Sequence, residues 1–261
     1  MKSLNIAATG MMAQQLNVDV TSNNLANLTT TGYKRQRAEF QDLMYQDMRR
    51  SGSNSSDSGT IVPTGIQVGL GVKTGAIYRN HIQGTIQQTS APLDVAIQGR
   101  GFFVIQMPNG DTTYTRDGTF QLDANGVIVT ADGYTVQPAI TVPNDAKSIS
   151  INSSGEVQVT IDGQVTPSNL GQLEMATFVN EPGLEALGNN LYQETVSSGA
   201  PLQGIAGLEG LGTILQGYTE ASNVDPVKEI TQLIVAQRAY EMNSKVISAS
   251  DQMLQALTQS A

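Results

Sequence analysis

Four aspartates in one stretch of the chain are spaced closely enough to suggest a carboxylate pair for glycoside hydrolysis or a calcium site. They are Asp111, Asp117, Asp123 and Asp132. Turn chemistry accounts for all four, because each precedes, opens or follows a short glycine-containing turn. The turn that Asp123 opens is similar to the start of a calcium loop, but no further acidic ligands follow at the required spacing. We therefore predict no catalytic residue and no metal site.

Other short motifs are equally poor candidates for chemistry. The single histidine, His81, has no second histidine with which to share a metal or a proton, so a hydrogen-bonded strand or surface position is predicted for it. Gly69-Leu70-Gly71 and Gly99-Arg100-Gly101 are not dinucleotide fingerprints, since no βαβ unit follows. Tyr114-Thr115-Arg116 is interpreted as a cross-strand surface contact. The sequence predicts neither an enzyme nor a cofactor.

Composition excludes further classes of protein. The 261 residues carry a net charge of −9, which argues against a surface for nucleic acid or anionic membrane. The absence of Cys excludes a disulfide framework and thiolate metal sites. No apolar run approaches the roughly 18 residues of a membrane helix, so membrane insertion is not expected. Polar residues from Asn5 to Gln15 interrupt any apolar region of a cleaved signal.

The stretch from Asp225 to Leu257 is predicted to form one long helix with apolar residues on more than one face. Asp225 can cap the first turn, Pro226 fits that turn, and no Gly or Pro follows. A helix packed on one core needs one apolar stripe, so this helix must be covered from two sides. The apolar positions are a first seam of Val235, Ala239, Met242, Val246, Ala249, Met253 and Ala256, a second seam of Leu233, Tyr240, Ile247 and Leu254, and a patch of Val227, Ile230 and Ile234.

Residues 3–28 are predicted to form a second helix, which is the natural partner of the last one in a coiled-coil-like layer. A pair of helices still leaves apolar faces uncovered, so other copies of the chain must cover them, although a coiled-coil dimer would satisfy part of this requirement. The predicted subunit interface consists of Leu4, Met11, Val18, Leu25, Leu233, Val235, Tyr240, Met242, Val246, Ile247, Met253 and Leu254.

An all-β domain is predicted between the two helices, which gives an α+β fold. Residues 34–50 are interpreted as a short helix or an extended arm, and Ser51–Thr60 as a flexible Ser-rich boundary. From Ile66 the pattern alternates, and recurring turn dipeptides are typical of hairpins in a meander, whereas residues 183–217 are interpreted as mostly irregular. The dipeptides are Asn109-Gly110, Asp117-Gly118, Asn125-Gly126, Asp132-Gly133, Ser154-Gly155 and Asp162-Gly163.

Several motifs across almost the whole chain resemble those of the bacterial flagellar rod and hook proteins. Within that family, the chain length, the run from Gln36 to Leu43 and the insert at 46–65 favour a subunit of the distal part of the rod. Hook proteins are usually longer. The motifs are Asn23-Asn24-Leu25-Ala26-Asn27 with Thr31-Gly32-Tyr33-Lys34, the run from Pro92 to Phe103, the run from Tyr114 to Phe120, the run from Glu220 to Asp225, and the run from Gln237 to Asn243.

The resemblance implies a structural subunit that polymerises into a rigid axial tube and transmits motor torque to the hook. It implies an inner tube of residues 1–30 and 224–261, a linker and rod insert at 31–66 and an outer β-domain at 67–223. The insert, which includes Tyr45, Arg49, Arg50, Ser51 and Ser58, would stiffen the tube. The implied partners are copies of the chain, other rod proteins, the hook, the surrounding P and L rings and the flagellar type III export apparatus, in the periplasm and the outer-membrane region.

Two alternatives remain open. The chain could be another flagellar axial protein, from the proximal rod or the hook. It could also be a secreted β-rich binding module with helical ends, although aromatic residues make up only 5% of the chain and none is Trp, so a sugar-binding platform lacks its usual side chains.

Overall fold

A computed structural model describes residues 2–50, 64–161, 166–208 and 210–259. Within these ranges the chain has a long helix near each end and strands between them, which confirms the α+β fold. The helices are α1 (Lys2–Ala26) and α2 (Pro226–Gln259), and a 3₁₀ helix spans Glu181–Gly183. Both predicted helices are confirmed.

The strands are short, and most are joined by tight turns. In chain order they are β1 (Gln36–Asp42), β2 (Tyr45–Arg49), β3 (Ile66–Gly69), β4 (Val72–Arg79), β5 (Ile86–Gln88), β6 (Val95–Gln98), β7 (Phe102–Gln106), β8 (Thr112–Thr115), β9 (Gln121–Leu122), β10 (Ile128–Val129), β11 (Thr135–Val136), β12 (Ala146–Ile151), β13 (Glu156–Ile161), β14 (Ser168–Gln172), β15 (Glu174–Thr177), β16 (Glu185–Gly188), β17 (Leu191–Gln193), β18 (Leu202–Ile205), β19 (Thr213–Gln216) and β20 (Tyr218–Glu220).

The chain folds into two compact units. The helical unit consists of Met1–Leu25, Gln36–Tyr78 and Asp225–Ala261, and the β unit consists of Ala26–Arg35 and Arg79–Val224. Each unit is therefore built from segments that are distant in the sequence.

In the helical unit, α1 and α2 run antiparallel. The hydroxyl oxygens of Ser3 and Ser250 lie 3.4 Å apart, and the Asn24 amide donates to the Glu229 carboxylate at 3.0 Å. The pairing of the first helix with the last is thus confirmed. The predicted cap of α2 is confirmed as well, because an oxygen of Asp225 accepts from the backbone N–H of Val227 at 3.1 Å.

Residues 36–49 are extended, so the short helix considered for 34–50 is wrong. β1 pairs with β4, and β2 pairs with β3 in an antiparallel register that places Tyr45 opposite Gly69. Three of the five residues of β2 are polar or charged, and every one of the five is exposed, so nothing in this strand favours a buried helical stripe. Ser51 and Ser58 lie outside the described residues.

In the β unit, the largest sheet formed by the described residues has nine strands. Its path runs β16-β17-β8-β7-β11-β10-β9, and β15 joins it by pairing with β7 and β18. A separate three-stranded sheet has the order β12-β13-β14. The main apolar core includes Val95, Ile97, Phe103, Ile105 and Val157, all at most 1% exposed. Burial alternates along β13, as the predicted strand period requires, whereas β6 and β7 bury three and four consecutive residues.

The hairpin turns follow the Asn-Gly and Asp-Gly dipeptides, with one exception. Gly110, Gly126 and Gly133 have φ angles of 91°, 78° and 84° and join the antiparallel pairs β7–β8, β9–β10 and β10–β11. The turn predicted at Asp117-Gly118 is wrong, because β8 pairs with β7 and β17 rather than with β9. Gly118 serves close approach instead, since a Cβ there would lie 1.6 Å from the carbonyl oxygen of Val95. Asp162-Gly163 lies outside the described residues.

Residues 183–217 are more regular than expected. β16, β17, β18 and β19 lie in this stretch, and β19 pairs with the buried β6 along four residues. The many glycines suggested an irregular segment, but several of them occupy turns between strands, as at Gly199 and Gly207, which both have positive φ.

Candidate assembly surface

The faces of α2 are buried to very different extents. Glu229, Ala236 and Ser250 are buried at 0%, 0% and 6% exposure, and they follow one another at multiples of seven residues. Leu233, Ile247 and Leu254 of the predicted second seam are half-buried beside them, whereas Tyr240 of the same seam is 43% exposed. The side of α2 that faces the rest of the helical unit is therefore mainly small and polar.

A patch of apolar side chains on α2 is exposed. At 100° per residue, Val227 and Ile234 lie across the helix from the buried row, and the other members flank that row. A patch of this kind on a soluble chain marks an interaction surface. We call it the α2 stripe, and it consists of Val227, Ile230, Ile234, Val235, Met242, Val246 and Met253, each between 46% and 71% exposed.

The predicted interface residues are thus divided between two environments. Val235, Met242, Val246 and Met253 belong to the α2 stripe. Leu4, Met11, Val18 and Leu25 of α1 are half-buried. Met12 of α1, which the predicted interface omitted, is 69% exposed and extends the apolar surface. Coverage of these residues by another copy stays a prediction.

The described part of the predicted rod insert also has an exposed surface. Tyr45 is 57% exposed, and Arg49 and Arg50 are exposed as well. A hydrogen bond to the Asp42 carboxylate raises the pKa of the Tyr45 phenol. Met48, on the same strand, is 67% exposed, so the hairpin of β2 and β3 is a second place where apolar side chains lack cover within the described chain.

A buried ionic cluster in the β unit was not predicted. Lys34, Glu220 and Arg116 expose 0%, 1% and 4% of their side chains. The Lys34 ammonium lies 2.5 Å from one Glu220 oxygen, and an Arg116 nitrogen lies 3.4 Å from the other. We call these three residues, together with Asn223, the clasp. Each belongs to a motif that carried the family resemblance, so the motifs were visible in the sequence while their packing role was not.

The clasp ties backbone segments that are far apart in the sequence. Lys34 donates to the carbonyl of Ile82 at 3.0 Å, and Glu220 accepts from the N–H of Gly84 at 2.8 Å. The Asn223 amide donates to the same Ile82 carbonyl at 2.9 Å and accepts from the N–H of Arg35 at 2.7 Å. These side chains reinforce the backbone pairing of β20 with β5, and they join that pair to the segment around residue 34.

Burial shapes the acid–base behaviour of the clasp. Desolvation lowers the pKa of Lys34, and the attraction of Glu220 offsets only part of this effect. Burial also lowers the pKa of Arg116, whose guanidinium lies 5.5 Å from the centre of the Phe102 ring. Within the described chain, Arg116 Nε makes no hydrogen bond. The interpretation of Tyr114-Thr115-Arg116 as a surface contact is therefore wrong, because Tyr114 is also only 2% exposed.

His81 lies between aromatic rings, so the predicted hydrogen-bonded strand or surface position is wrong. Its ring meets those of Phe102 and Tyr192 edge-on at 5.7 and 5.6 Å, and its Nδ1 has no hydrogen-bond partner among the described residues. Burial, together with the nearby positive charges of Lys34 and Arg116, lowers its pKa to about 3. The ring is thus neutral in the folded chain at neutral pH.

Asn24 has the corresponding joining role in the helical unit. Its amide nitrogen donates to the carbonyl of Gln36 at 2.9 Å, and its amide oxygen accepts from the N–H of the same residue at 2.8 Å. The amide therefore pairs with the first residue of β1 as a neighbouring strand would, while it also reaches Glu229 on α2. The helix stop predicted at this motif is confirmed, since α1 ends at Ala26.

The described residues contain neither a candidate metal site nor a candidate membrane-spanning helix. In residues 2–50, 64–161, 166–208 and 210–259, no group of three or more His, Asp or Glu side chains is placed to hold a metal ion. No helix in these ranges is both long enough and apolar enough to cross a membrane.

Family models of flagellar proteins match both ends and the middle of the chain. Residues 4–34 match the family model of the flagella basal body rod protein, and residues 215–260 match that of the flagellar basal body rod FlgEFG protein C-terminal region. Residues 96–159 match the D1 domain of the flagellar hook protein FlgE/F/G. The outer matches hold the two helices and part of the clasp, and the middle match holds the core strands.

Whole-chain relatives decide the assignment. The flagellar basal-body rod protein FlgG of Caulobacter vibrioides is 60% identical over 259 residues, which cover 99% of each chain. The FlgG proteins of Borreliella burgdorferi and Bacillus subtilis are 48% and 40% identical, with at least 96% of each chain covered. This chain belongs to the flagellar basal-body rod family. It is a structural subunit of the flagellar distal rod, located in the basal body.

Acidification should destabilise the rod subunit through His81. The ring has a pKa of about 3 when folded and about 6.5 when unfolded. Below pH 6.5 the unfolded chain therefore binds a proton that the folded chain does not. Between pH 7 and pH 5 this difference lowers the free energy of unfolding by up to about 2 kcal/mol. His81→Phe should lose this component, as measured by urea unfolding at both pH values. The same pH dependence in wild type and variant would refute the assignment.

Removal of the Glu220 charge should be far more harmful than removal of an exposed one. Glu220→Gln leaves Lys34 and Arg116 buried without their carboxylate, so we expect a loss of about 3 kcal/mol or more in unfolding free energy. The matched control is Glu241→Gln, because Glu241 is 59% exposed and pairs with an Arg238 side chain that is 76% exposed. It should cost less than about 1 kcal/mol. Equal losses in urea titrations of the two variants would contradict a structural role for the clasp.

Proposed function

We propose that the rod subunit polymerises with copies of itself into a rigid helical tube that transmits motor torque to the hook. The observation that carries this proposal is the α2 stripe, because seven large apolar side chains are exposed on a helix that is packed only along the row of Glu229, Ala236 and Ser250. Covering a half-exposed side chain of this size contributes about 1 kcal/mol. Neighbouring copies with the same stripe supply that cover, and mass action in the polymer stabilises the helices.

The proposed layers follow the two kinds of structure in the chain. Residues 1–30 and 224–261 form the inner tube, residues 67–223 form the outer layer, and residues 31–66 form the linker and the rod insert. Strong exposure on α2 and deep burial of the β-unit core support this division, because the helices lack cover that the strands already have. The role is mechanical rather than enzymatic.

The proposed partners come from the setting of the basal body. They are other rod proteins, the hook, the P and L rings that surround the rod, and the flagellar export apparatus that delivers the subunit. The proposed location is the periplasm, with the tube continuing through the region of the outer membrane. The match of both chain ends to rod-protein models supports this setting.

The matching D1 model covers hook and rod proteins alike, and the whole-chain likeness to FlgG proteins decides for the distal rod over the proximal rod and the hook. We propose that the rod insert stiffens the distal rod. The hairpin of β2 and β3 supports this, as its exposed Tyr45 and Met48 provide contacts for a neighbour. A secreted β-rich binding module is the less favoured alternative, because whole-chain relatives are rod proteins.

Polar replacements in the α2 stripe should prevent rod assembly without unfolding the β unit. Met242→Gln combined with Val246→Gln removes apolar contacts from two positions that are 60% and 46% exposed, so cells should be non-motile and lack rods in electron micrographs. Ser244→Gln is the control, since Ser244 is exposed, lies across the helix from both residues and should leave swimming unchanged when replaced. Normal rods built from the double variant would refute the proposal.

Deletion of residues 46–65 should make the rod more flexible. The deletion removes most of β2 and its connection to β3, so the proposed contacts of the insert are lost while α1, α2 and the β unit are retained. The measurement is the curvature of isolated rods in electron micrographs, compared with wild-type rods. If the deletion rods stay equally straight, the proposed stiffening role of the insert is wrong.

A further inference from the structure

The contacts between α1 and α2 recur in one heptad register. Ser3 meets Ser250, and the Asn243 amide lies over Gly10, where a Cβ would come within 2.8 Å of it. Asn24 meets Glu229. From the first contact to the second, the position advances by seven residues on α1 and falls by seven on α2. From the second to the third, both change by fourteen. Two antiparallel helices in a fixed alignment give this relation.

The side chains in this contact row are small or polar. On α1 the row is Ser3, Gly10, Asn17 and Asn24, and on α2 it is Ser250, Asn243, Ala236 and Glu229. Ala236 and Glu229 have 0% exposure and Asn24 has 1%. A row of leucines would tolerate a slide by one heptad, because apolar side chains would meet apolar side chains again. A polar row does not, because each buried polar group needs its own partner.

A slide by seven residues in either direction separates Asn24 from Glu229. One direction brings Glu229 opposite Asn17, and the other carries it beyond the end of α1 at Ala26. Asn24 cannot follow, because its amide is held by both backbone groups of Gln36. The slide also moves the Asn243 amide away from Gly10, the residue whose missing side chain leaves room for it.

We propose that Asn24, Glu229 and the Gly10–Asn243 contact are register-determining residues, which hold the two terminal helices in a single alignment. This inference rests on the proposed function, since the alignment matters because it fixes the height at which the α2 stripe meets a neighbouring copy. The apolar seams on α1 and α2 could pair in several registers and between different chains. The polar row makes the in-chain register the favoured one, so every subunit presents the same surface.

Disulfide trapping tests the register directly, because the chain has no cysteine. Ser3→Cys with Ser250→Cys reports the observed alignment. Ser3→Cys with Asn243→Cys reports a slide by one heptad in a chain whose register is held by Asn24 and Glu229 alone. Rods are isolated from cells that carry each pair, oxidised and separated without reductant. A disulfide within one chain migrates as a monomer, and one between chains migrates as a dimer. With Glu229 intact, we expect the first pair to form an in-chain disulfide and the second pair to form none.

Two substitutions at Glu229 then separate register from mere stability. Glu229→Leu removes the charge that requires Asn24, so the slid disulfide should appear and the yield of the native one should fall by about half or more. Glu229→Gln keeps the hydrogen bond to Asn24 and should leave both patterns unchanged. If the Glu229→Leu chain does not enter rods, the same oxidation is carried out on the purified full chain.

The outcomes distinguish this inference from the proposed function. If the Glu229→Leu chain forms the native disulfide and no slid one, the register proposal is overturned and the polymer proposal is unaffected. A slid disulfide with Glu229 intact has the same consequence. Absence of the wild-type register disulfide in isolated rods also overturns it. Absence of the chain itself from isolated rods, despite normal expression, overturns the proposed function and this inference with it.

Discussion

The β unit depends on one buried carboxylate. Glu220 neutralises Lys34 and Arg116 at a place that water does not reach, and its backbone carbonyl accepts from the N–H of Gly32 at 2.8 Å. Buried ion pairs add little stability compared with apolar side chains of similar size, but the loss of one partner is costly. The cluster therefore penalises every arrangement in which the segments around these residues fail to meet. The pair of β5 and β20 and the segment around Lys34 are fixed to one another in this way.

In an ordinary pair of helices, large apolar side chains lie between the helices and polar ones lie outside. The helical unit shows the opposite distribution. Small and polar groups such as Gly10, Ala236 and Asn243 lie where the helices meet, and large apolar groups such as Val235 and Met253 lie outside. Close packing between small residues allows the helices to approach, while the hydrophobic driving force remains unused in the single chain. A subunit of a tube needs this arrangement, because its strongest contacts are reserved for other copies.

Local chemistry made part of this structure predictable. Asp225 and Pro226 predict the start of α2, and a glycine after Asn or Asp predicts three hairpins of the large sheet. Both signals are local, because capping and positive φ depend only on neighbouring residues. The hairpin turn predicted at Gly118 is wrong because this glycine is required by the close approach of the Val95 carbonyl, and Val95 is distant in the sequence. Lys34 lies 186 positions from Glu220. No spacing rule in the sequence connects residues so far apart, so a lysine that will be buried cannot be distinguished from an exposed one. For the same reason the two seams of α2 are visible in the sequence, but the surfaces that cover them are not.

The two ends of the chain also set an order of events. Ser3 and Ser250 are separated by 247 positions, and Asn24 and Glu229 by 205. The β unit likewise requires Lys34 from one end and Glu220 from the other. Any process that delivers the polypeptide one end first, such as synthesis on a ribosome, must release nearly all of it before either unit can close. Each molecule therefore completes its fold late, because α1 cannot pack until α2 has been released.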